Sequence, residues 1–176
     1  MSGHNKWSKI KHKKAATDAK KSAIFGKIVR LIQVAAKACN GDINSPELKM
    51  ALEKAKQANM PKDNIDRAIK KASESGDVSP VMFEAYGPAG IGILITGLTD
   101  NNNRTSQEIK HTLSKAGASL GAQGSVAWNF TKNLETGDWE PNTTMDIEDN
   151  DLEKLSDIVD AIEENEDVQD VYTNAA

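Results

Sequence analysis

The chain has 176 residues, of which 38% are hydrophobic, 27% charged and 5% aromatic. This balance is typical of a globular protein, and no apolar run approaches the roughly 18 residues that a membrane helix needs. The one cysteine, Cys39, excludes an internal disulfide and a multi-cysteine zinc site. The basic amino terminus has no apolar segment behind it, so we expect no signal peptide and a cytoplasmic location.

The net charge of −4 conceals a strong polarity along the chain. Residues 1–71 carry 17 lysines and arginines against 6 carboxylates, which is a net charge of +11. Residues 131–176 carry 2 against 15, a net charge of −13, and the segment between them carries −2. The polarity predicts that the first part of the chain binds a polyanion, although solvated helix faces without a partner would carry the same charges.

The first part of the chain is predicted to form a basic arm followed by three helices. Residues 1–14 contain five lysines, no acid and no apolar periodicity, which is typical of an extended or flexible arm. Apolar residues recur at intervals of three and four over about 15–38, and Asn40-Gly41 supplies a C-cap. Ser45-Pro46 begins a second helix, and a third helix is predicted over about 62–72.

From residue 78 the hydrophobic period changes from 3.6 to 2, so the second part of the chain is predicted to be α+β. The predicted order is ββαββαβ, with the helices on one face of an antiparallel or mixed sheet. One helix is predicted to begin at Thr105, which would form a capping box with Glu108. The predicted domains are therefore residues 1–77 and 78–176. The predicted strands are 81–85, 91–95, 126–130, 143–147 and 168–172, and the predicted helices are 105–116 and 152–162.

Five lysines of the arm lie too close together in the chain to fold into a core. Each of them can neutralise a phosphate and release counterions, so binding would weaken steeply with salt. Trp7 lies among them, and two interpretations stay open: the ring stacks on an unpaired base, or it anchors the arm onto the helices. The five lysines are Lys6, Lys9, Lys11, Lys13 and Lys14.

Three other motifs could in principle bind an anion, a phosphate or a metal ion. The loop 99–104 is either an anion seat with Arg104 as its charge or a capped strand-to-helix connection, and the spacing favours the connection. The glycine-rich segment 87–90 lacks the Lys-Ser/Thr ending of a phosphate-binding loop, so a hairpin turn is expected. His4 and His12 have no third ligand at a recognisable spacing, and no enzyme motif is found, so we expect no metal, cofactor or catalytic set.

The opening segment GHNKWSKIKHKKAATDAKKSAIFGKIVR is followed, in order, by NMPKDNIDRAIKKA, FEAYGPAGIGILI, LTDNNNRT, GSVAWNF, PNTTMDI and ENEDVQDVYTNA. These segments resemble the YebC/PmpR family of probable transcriptional and translational regulators. The resemblance implies a helical amino-terminal domain and two α/β domains, one inserted within the other. Because the chain passes from Phe130 to Pro141 through a few polar residues, it resembles a shortened member that lacks the inserted domain near 131–141.

The resemblance also implies a function and a set of contact residues. Members are described as DNA-binding transcriptional regulators or as translational activators at the ribosome, so DNA and ribosomal RNA both stay open as partners. The resemblance implies no enzyme activity, cofactor, metal, small-molecule substrate or membrane, and a monomer or weak dimer is expected. A further carry-over from the matching loop comprises Asp100, Asn101 and Arg104. The implied nucleic-acid contacts are Lys6, Trp7, Lys9, Lys11, His12, Lys13, Lys14, Lys20, Lys21, Lys27 and Arg30.

Overall fold

A computed structural model of the protein describes Trp7, residues 18–74 and residues 76–176, with side chains from Lys21 onward and that of Trp7. The described chain is α+β, as predicted, and no helix in it is long and apolar enough to cross a membrane. The helices are α1 (Asp18–Ala38), α2 (Pro46–Gln57), α3 (Lys62–Lys71), α4 (Asn102–Lys115) and α5 (Asp149–Glu163). The strands are β1 (Ser79–Tyr86), β2 (Gly92–Thr99), β3 (Ser119–Leu120), β4 (Phe130–Lys132), β5 (Trp139–Pro141) and β6 (Val168–Thr173).

The chain divides into two compact units. The helical unit comprises the described part of Ala16–Pro80 together with Leu98–Asn101. The α+β unit comprises Trp7, Val81–Gly97 and Asn102–Ala176. The boundary between the units is therefore not a single point in the chain, because Leu98 and Thr99 at the end of β2 belong to the helical unit.

Two of the predicted helix caps in the helical unit are confirmed. The Oγ atom of Ser45 accepts a hydrogen bond from the Leu48 N–H at 3.2 Å and so caps α2. Gly41 follows α1 with a φ of +78°, and its N–H donates to the Ala36 carbonyl at 2.8 Å. The core of this unit consists largely of small side chains: Ile28, Ile32, Ala35, Ala36, Leu48, Ala51, Ala55, Met60, Ala68 and Ala72.

The α+β unit is built on a four-stranded sheet in the order β3-β1-β2-β6. β6 pairs antiparallel with β2, and the two-residue β3 pairs antiparallel with β1. Ile93 and Ile95 on one face of β2 pack with side chains of α4 and α5 in the main core. Leu94 points to the opposite face and packs with Val126 and Phe130, beside the β4–β5 hairpin. Both helices lie on one face, as predicted.

The predicted strand at 126–130 is wrong for most of its length. Ala127–Asn129 form a 3-10 turn, and β4 is confined to Phe130–Lys132. The reason is that two backbone N–H groups at the start of this segment donate to the carboxylate of Glu84. Those groups are therefore unavailable to a sheet ladder, although the apolar alternation is typical of a strand.

The predicted start of α4 and the predicted strand at 143–147 are also wrong. The helix begins at Asn102, and Thr105 is buried inside it, where its hydroxyl donates to Asp167 rather than capping the helix. Residues 143–147 contribute an isolated bridge between Met145 and Ala175. The short strands β3 and β5 were not predicted, because segments of two and three residues carry no periodicity of their own.

Candidate nucleic-acid interface

Most of the predicted contact residues lie outside the described residues. These are Lys6, Lys9, Lys11, His12, Lys13, Lys14 and the side chain of Lys20. On α1, Lys21 is exposed, whereas Lys27 and Arg30 are half-buried. The Arg30 Nη1 atom donates to the Leu98 carbonyl at 3.1 Å, so part of this guanidinium is engaged within the helical unit.

The helices of the helical unit carry a basic surface. Residues 21–71 contain 11 basic and 5 acidic side chains, which is a net charge of +6. Basic residues also fill the last turns of α2 and α3, where they complement the helix dipole. The exposed basic side chains of α2 and α3 are Lys49, Lys54, Lys56, Lys62, Arg67, Lys70 and Lys71. These side chains are not among the predicted contacts, although the net charge of +11 over residues 1–71 includes them.

Trp7 is buried, which favours the anchoring interpretation of its ring over stacking on a base. The residue is 8% exposed and belongs to the main core of the α+β unit. A ring buried to this extent has no free face for stacking on an unpaired base. The ring packs into the α+β core, so its partner differs from the amino-terminal helices expected from the sequence. Trp7 is therefore a core residue of the α+β unit, and its burial counts against a stacking role.

Arg104 is held by acidic side chains of its own unit. Its Nη2 atom lies 2.8 Å from Asp167 Oδ2, and its Nε atom lies 3.8 Å from Glu108 Oε1. Asp167 is buried and also accepts a 2.5 Å hydrogen bond from the Thr105 hydroxyl. The charge of Arg104 is thus balanced by neighbouring carboxylates, which favours the strand-to-helix connection over the anion seat.

Two other residues of that loop are exposed, whereas Thr99 is buried. Asp100 and Asn101 are both exposed. The Asn101 N–H donates to Thr99 Oγ1 at 3.0 Å, which shapes the turn between β2 and α4. This bond satisfies a backbone group at the helix start, as a connecting turn requires.

A buried carboxylate organises the segment between β3 and β4. Glu84 is 5% exposed and accepts backbone hydrogen bonds from Gly124 at 2.6 Å, Val126 at 2.7 Å and Ala127 at 2.7 Å. Burial raises the pKa of the Glu84 carboxyl, but the three N–H donors together outweigh it and hold the pKa below its ordinary value. We call this arrangement the Glu84 clasp. The local sequence around Glu84 gives no sign of these distant partners.

Trp128 of the clasped segment and Tyr86 at the end of β1 form an exposed aromatic pair on the surface of the α+β unit. Trp128 is 73% exposed and Tyr86 is 38% exposed. The Trp128 Nε1 atom and the Tyr86 hydroxyl both donate to the Ser125 carbonyl oxygen, at 2.9 and 3.0 Å. A Cβ at Gly121 would lie 2.6 Å from Ser125 Oγ and 3.1 Å from the Tyr86 ring, so this glycine permits the close approach.

Comparison with known families assigns nearly the whole chain. Residues 5–75 match the family described as "TACO1/YebC protein N-terminal domain". Residues 78–137 and 132–175 match "TACO1/YebC second and third domain". The chain belongs to the TACO1/YebC family. The resemblance noted from the sequence motifs is thereby confirmed.

Curated TACO1/YebC relatives carry the name "Probable transcriptional regulatory protein", which describes a regulator and not an enzyme. The relative from Fervidobacterium nodosum is 37% identical over 235 residues, covering 99% of this chain and 93% of the relative. The relative from Thermosipho africanus is 54% identical over 136 residues, covering 75% of this chain and 54% of the relative. The second alignment thus spans about half the length of the relative.

A solved structure has the same fold as this TACO1/YebC chain. The crystal structure of a conserved hypothetical protein from Aquifex aeolicus superposes with a TM-score of 0.84 at 30% sequence identity. The match covers 97% of this chain and 96% of that chain. The α+β class predicted from the sequence is therefore supported by an experimental neighbour.

Proposed function

We propose that this chain is a nucleic-acid-binding regulator of gene expression that acts as a DNA-binding transcriptional regulator. The observation that carries the proposal is the charge polarity, with +11 over residues 1–71. The name of the relatives, "Probable transcriptional regulatory protein", supports the regulatory part of the proposal. In this proposal the protein works in the cytoplasm as a monomer or weak dimer, without a cofactor or catalytic residues.

The basic arm and the helical unit bind phosphate groups rather than base edges in this proposal. Each lysine or arginine that neutralises a phosphate releases a condensed counterion, so affinity falls steeply with salt. Direct reading of bases needs Asn, Gln or Arg side chains free to reach the groove. On α3, Arg67 and Asn64 are of the suitable type, but Arg67 Nη2 donates to Asn64 Oδ1 at 2.7 Å. Recognition by charge and shape is therefore favoured.

A second candidate function is a ribosome-associated translation factor that binds ribosomal RNA. The aromatic pair favours it, because exposed rings stack on unpaired bases and RNA offers many of these. The acidic segment 131–176, with its charge of −13, would then face solvent or basic ribosomal proteins.

Co-sedimentation separates the two functions. A gently lysed cell extract is run through a sucrose gradient at moderate salt, with one sample treated with DNase and another with RNase. Release by DNase alone supports the transcriptional function. Co-migration with ribosomes and release by RNase alone supports the translational function. A chain that stays at the top of every gradient contradicts both.

The contribution of the arm is tested by changing four of its lysines together to alanine. We expect unchanged circular dichroism and a reduction of about 4 units or less in the slope of log affinity against log salt concentration. A matched control removes four lysines from α2 and α3. The arm lysines are Lys9, Lys11, Lys13 and Lys14, and the control lysines are Lys49, Lys54, Lys56 and Lys62.

The two variants together decide where the binding charge lies. A larger loss in the arm variant than in the control supports a specific role for the arm. An unchanged affinity and slope in the arm variant removes the arm from the proposal. Equal losses in both indicate that binding depends on total charge and not on the arm.

A further inference from the structure

We propose that an acidic stripe along α5 is a docking surface for the chain's own basic arm, residues 1–14, and that nucleic acid competes with the stripe for the arm. The competition rests on the proposed function, because it requires an arm that binds nucleic acid. It goes further by giving the acidic part of the chain a role in controlling that binding. The acidic stripe consists of Asp149, Glu153, Asp157, Asp160 and Glu164.

The acidic stripe occupies one face of α5. Its members follow one another at intervals of three or four residues, so they lie side by side along the helix. All of them are exposed except Asp160, which is half-buried. The buried apolar residues of α5 lie on the other face and enter the main core. The helix therefore covers the core with one face and carries a row of carboxylates on the other.

Helix stability does not explain this row of carboxylates. Like charges three or four residues apart on a helix repel one another. Carboxylates at the carboxyl end of a helix also oppose its dipole, and Asp160 and Glu164 lie at that end of α5. The last turn of α5, which lies wholly within the described residues, holds no basic side chain. A basic partner on this face would offset both kinds of repulsion.

Trp7 identifies the basic arm as the partner. Its ring is buried in the same core cluster as the apolar face of α5, so the arm is tied at this residue to the unit that contains the stripe. The arm lysine farthest from it, Lys14, follows seven residues later, and seven residues span at most about 25 Å. The 15 residues of α5 extend over about 22 Å. The reach of the arm therefore matches the length of the stripe.

Charge selects α5 rather than α4, the other helix on this face of the sheet. α4 carries three basic residues and one carboxylate, a net charge of +2, whereas α5 carries one lysine and six carboxylates, a net charge of −5. The arm carries five lysines and no carboxylate. It is therefore attracted to α5 and repelled by α4. The exposed acids of the β4–β5 hairpin lie beside the opposite face of the sheet.

The stripe and a nucleic acid compete because both neutralise the same lysines. A lysine that pairs with a carboxylate of the stripe has to leave it before it can neutralise a phosphate. Exposed ion pairs are individually weak, so a phosphate backbone with closely spaced charges displaces the arm. The stripe thus sets a threshold for binding, since a site that offers the arm few phosphates fails to displace it.

The docking of the arm is tested first without nucleic acid. A carbodiimide joins a lysine amine to a carboxylate in direct contact, and mass spectrometry locates the joined residues in the full chain. We expect cross-links between the arm and the stripe at low salt and their loss at high salt, which screens exposed charges. Absence of these cross-links at low salt, or equal cross-linking to the hairpin acids, overturns the docking surface. Cross-links confined to covalent dimers place the arm on a second copy and overturn it as well.

Two triple variants then test the competition, by fluorescence anisotropy with a labelled DNA duplex and a labelled RNA hairpin. The stripe variant loses three exposed carboxylates of the stripe, and the control variant loses three exposed carboxylates of the β4–β5 hairpin in the same unit. Both changes raise the net charge by three, so the general attraction to a polyanion increases equally. The substitutions are Glu153→Gln, Asp157→Asn and Glu164→Gln in the stripe variant, and Glu135→Gln, Asp138→Asn and Glu140→Gln in the control.

We expect the stripe variant to bind nucleic acid at low salt roughly 3- to 100-fold more tightly than the control, the range for the loss of three exposed ion pairs. The difference should shrink as salt screens the competing carboxylates. Saturating the wild type with the probe that it binds should also remove the cross-links between arm and stripe.

The outcomes separate the docking surface from the proposed function. Equal affinities of the two variants overturn the competition, and so do cross-links that persist at saturating nucleic acid. If the chain binds a probe but forms no cross-links between arm and stripe, the docking surface alone fails. If neither the wild type nor either variant binds a probe, the competition and the proposed function both fail.

Discussion

The two units of this chain are stabilised in different ways. Of the twelve largest fully buried side chains in the described residues, Ile32 and Leu48 belong to the helical unit and ten belong to the α+β unit. The helical unit buries mainly alanines, so it gains less from apolar burial than the α+β unit does. The α+β unit has a deep core and holds two buried carboxylates, Glu84 and Asp167, by specific hydrogen bonds.

This difference matches the two kinds of binding proposed for the chain. Binding to phosphates by charge tolerates imprecise positions, because Coulomb attraction falls off gradually with distance. Stacking on a base needs a ring in a fixed orientation, and the Glu84 clasp lies in the well-packed unit. We therefore expect the same kinds of perturbation to have unequal effects on the two units.

Ending the chain after Glu148 should have the largest effect. The truncation removes α5, which supplies the fully buried Leu155 and Ile162, and it removes β6, which pairs with β2. Each such side chain contributes about 2–5 kcal/mol, whereas a whole domain is stable by about 5–15 kcal/mol. We expect the α+β unit to lose its cooperative unfolding transition, measured by near-ultraviolet circular dichroism on heating. An undiminished transition would show that the sheet does not need these elements.

The Glu84 clasp is tested by Glu84→Gln. The amide keeps the shape of the side chain but removes the charge that three N–H groups share, so the free energy of unfolding should fall by about 1–3 kcal/mol in urea titrations. Glu153→Gln is the matched control, because Glu153 is an exposed carboxylate on α5 of the same unit. Its effect should stay within about 0.5 kcal/mol. Equal effects of the two substitutions would contradict the clasp.

The stabilisation that Glu84 contributes should depend on pH. The folded pKa of Glu84 lies below its ordinary value of 4.5, so the carboxylate contributes its full stabilisation above that pH. The contribution is lost as the pH falls through the folded pKa. The difference in unfolding free energy between wild type and Glu84→Gln should thus be constant near neutral pH and shrink in acid. A difference that persists undiminished in acid would contradict this account.

The smallest effect is expected in the helical unit, from Ser45→Ala. Loss of the N-cap of α2 leaves the Leu48 N–H without its side-chain partner and should cost about 1 kcal/mol. Ser22→Ala inside α1 is the control, and it should change the free energy of unfolding by at most about 0.5 kcal/mol in the stabilising direction, because alanine favours helix. Both are measured by thermal melting at the far-ultraviolet helix signal. No difference between the two variants would refute the role of the cap.

Features that depend on near neighbours in the chain were predictable from the sequence. The Ser45 cap, the Asn40-Gly41 stop and the apolar stripe of α5 each need only a few consecutive residues. The Glu84 clasp was not predictable, because it joins groups about 40 residues apart. Trp7 among lysines left a stacking ring and an anchoring ring both open, because its packing in the α+β core depends on residues far away in the chain.

The exposure of Trp128 is a second feature that the local sequence did not predict. Its alternation with Val126 and Phe130 predicted three side chains on one strand face. In the structure Val126 and Phe130 are buried, and the 3-10 turn directs Trp128 outward. The charge polarity was plain in the sequence, but the positions of most arm residues lie outside the described residues, so their role as contacts stays a prediction.

The turn of the β4–β5 hairpin has a practical consequence. Its two ends are neighbours, because Lys132 pairs with Trp139 and the Asn133 N–H donates to the Asp138 carbonyl at 2.8 Å. The Fervidobacterium nodosum alignment runs over 235 positions against 176 residues here, so at least 59 positions of that alignment face a gap. We propose that the gap falls at this turn, near 131–141. Since closing a longer loop costs only about 0.6 kcal/mol for each doubling of its length, a fluorescent reporter inserted here should leave both units folded and make the protein visible in cells.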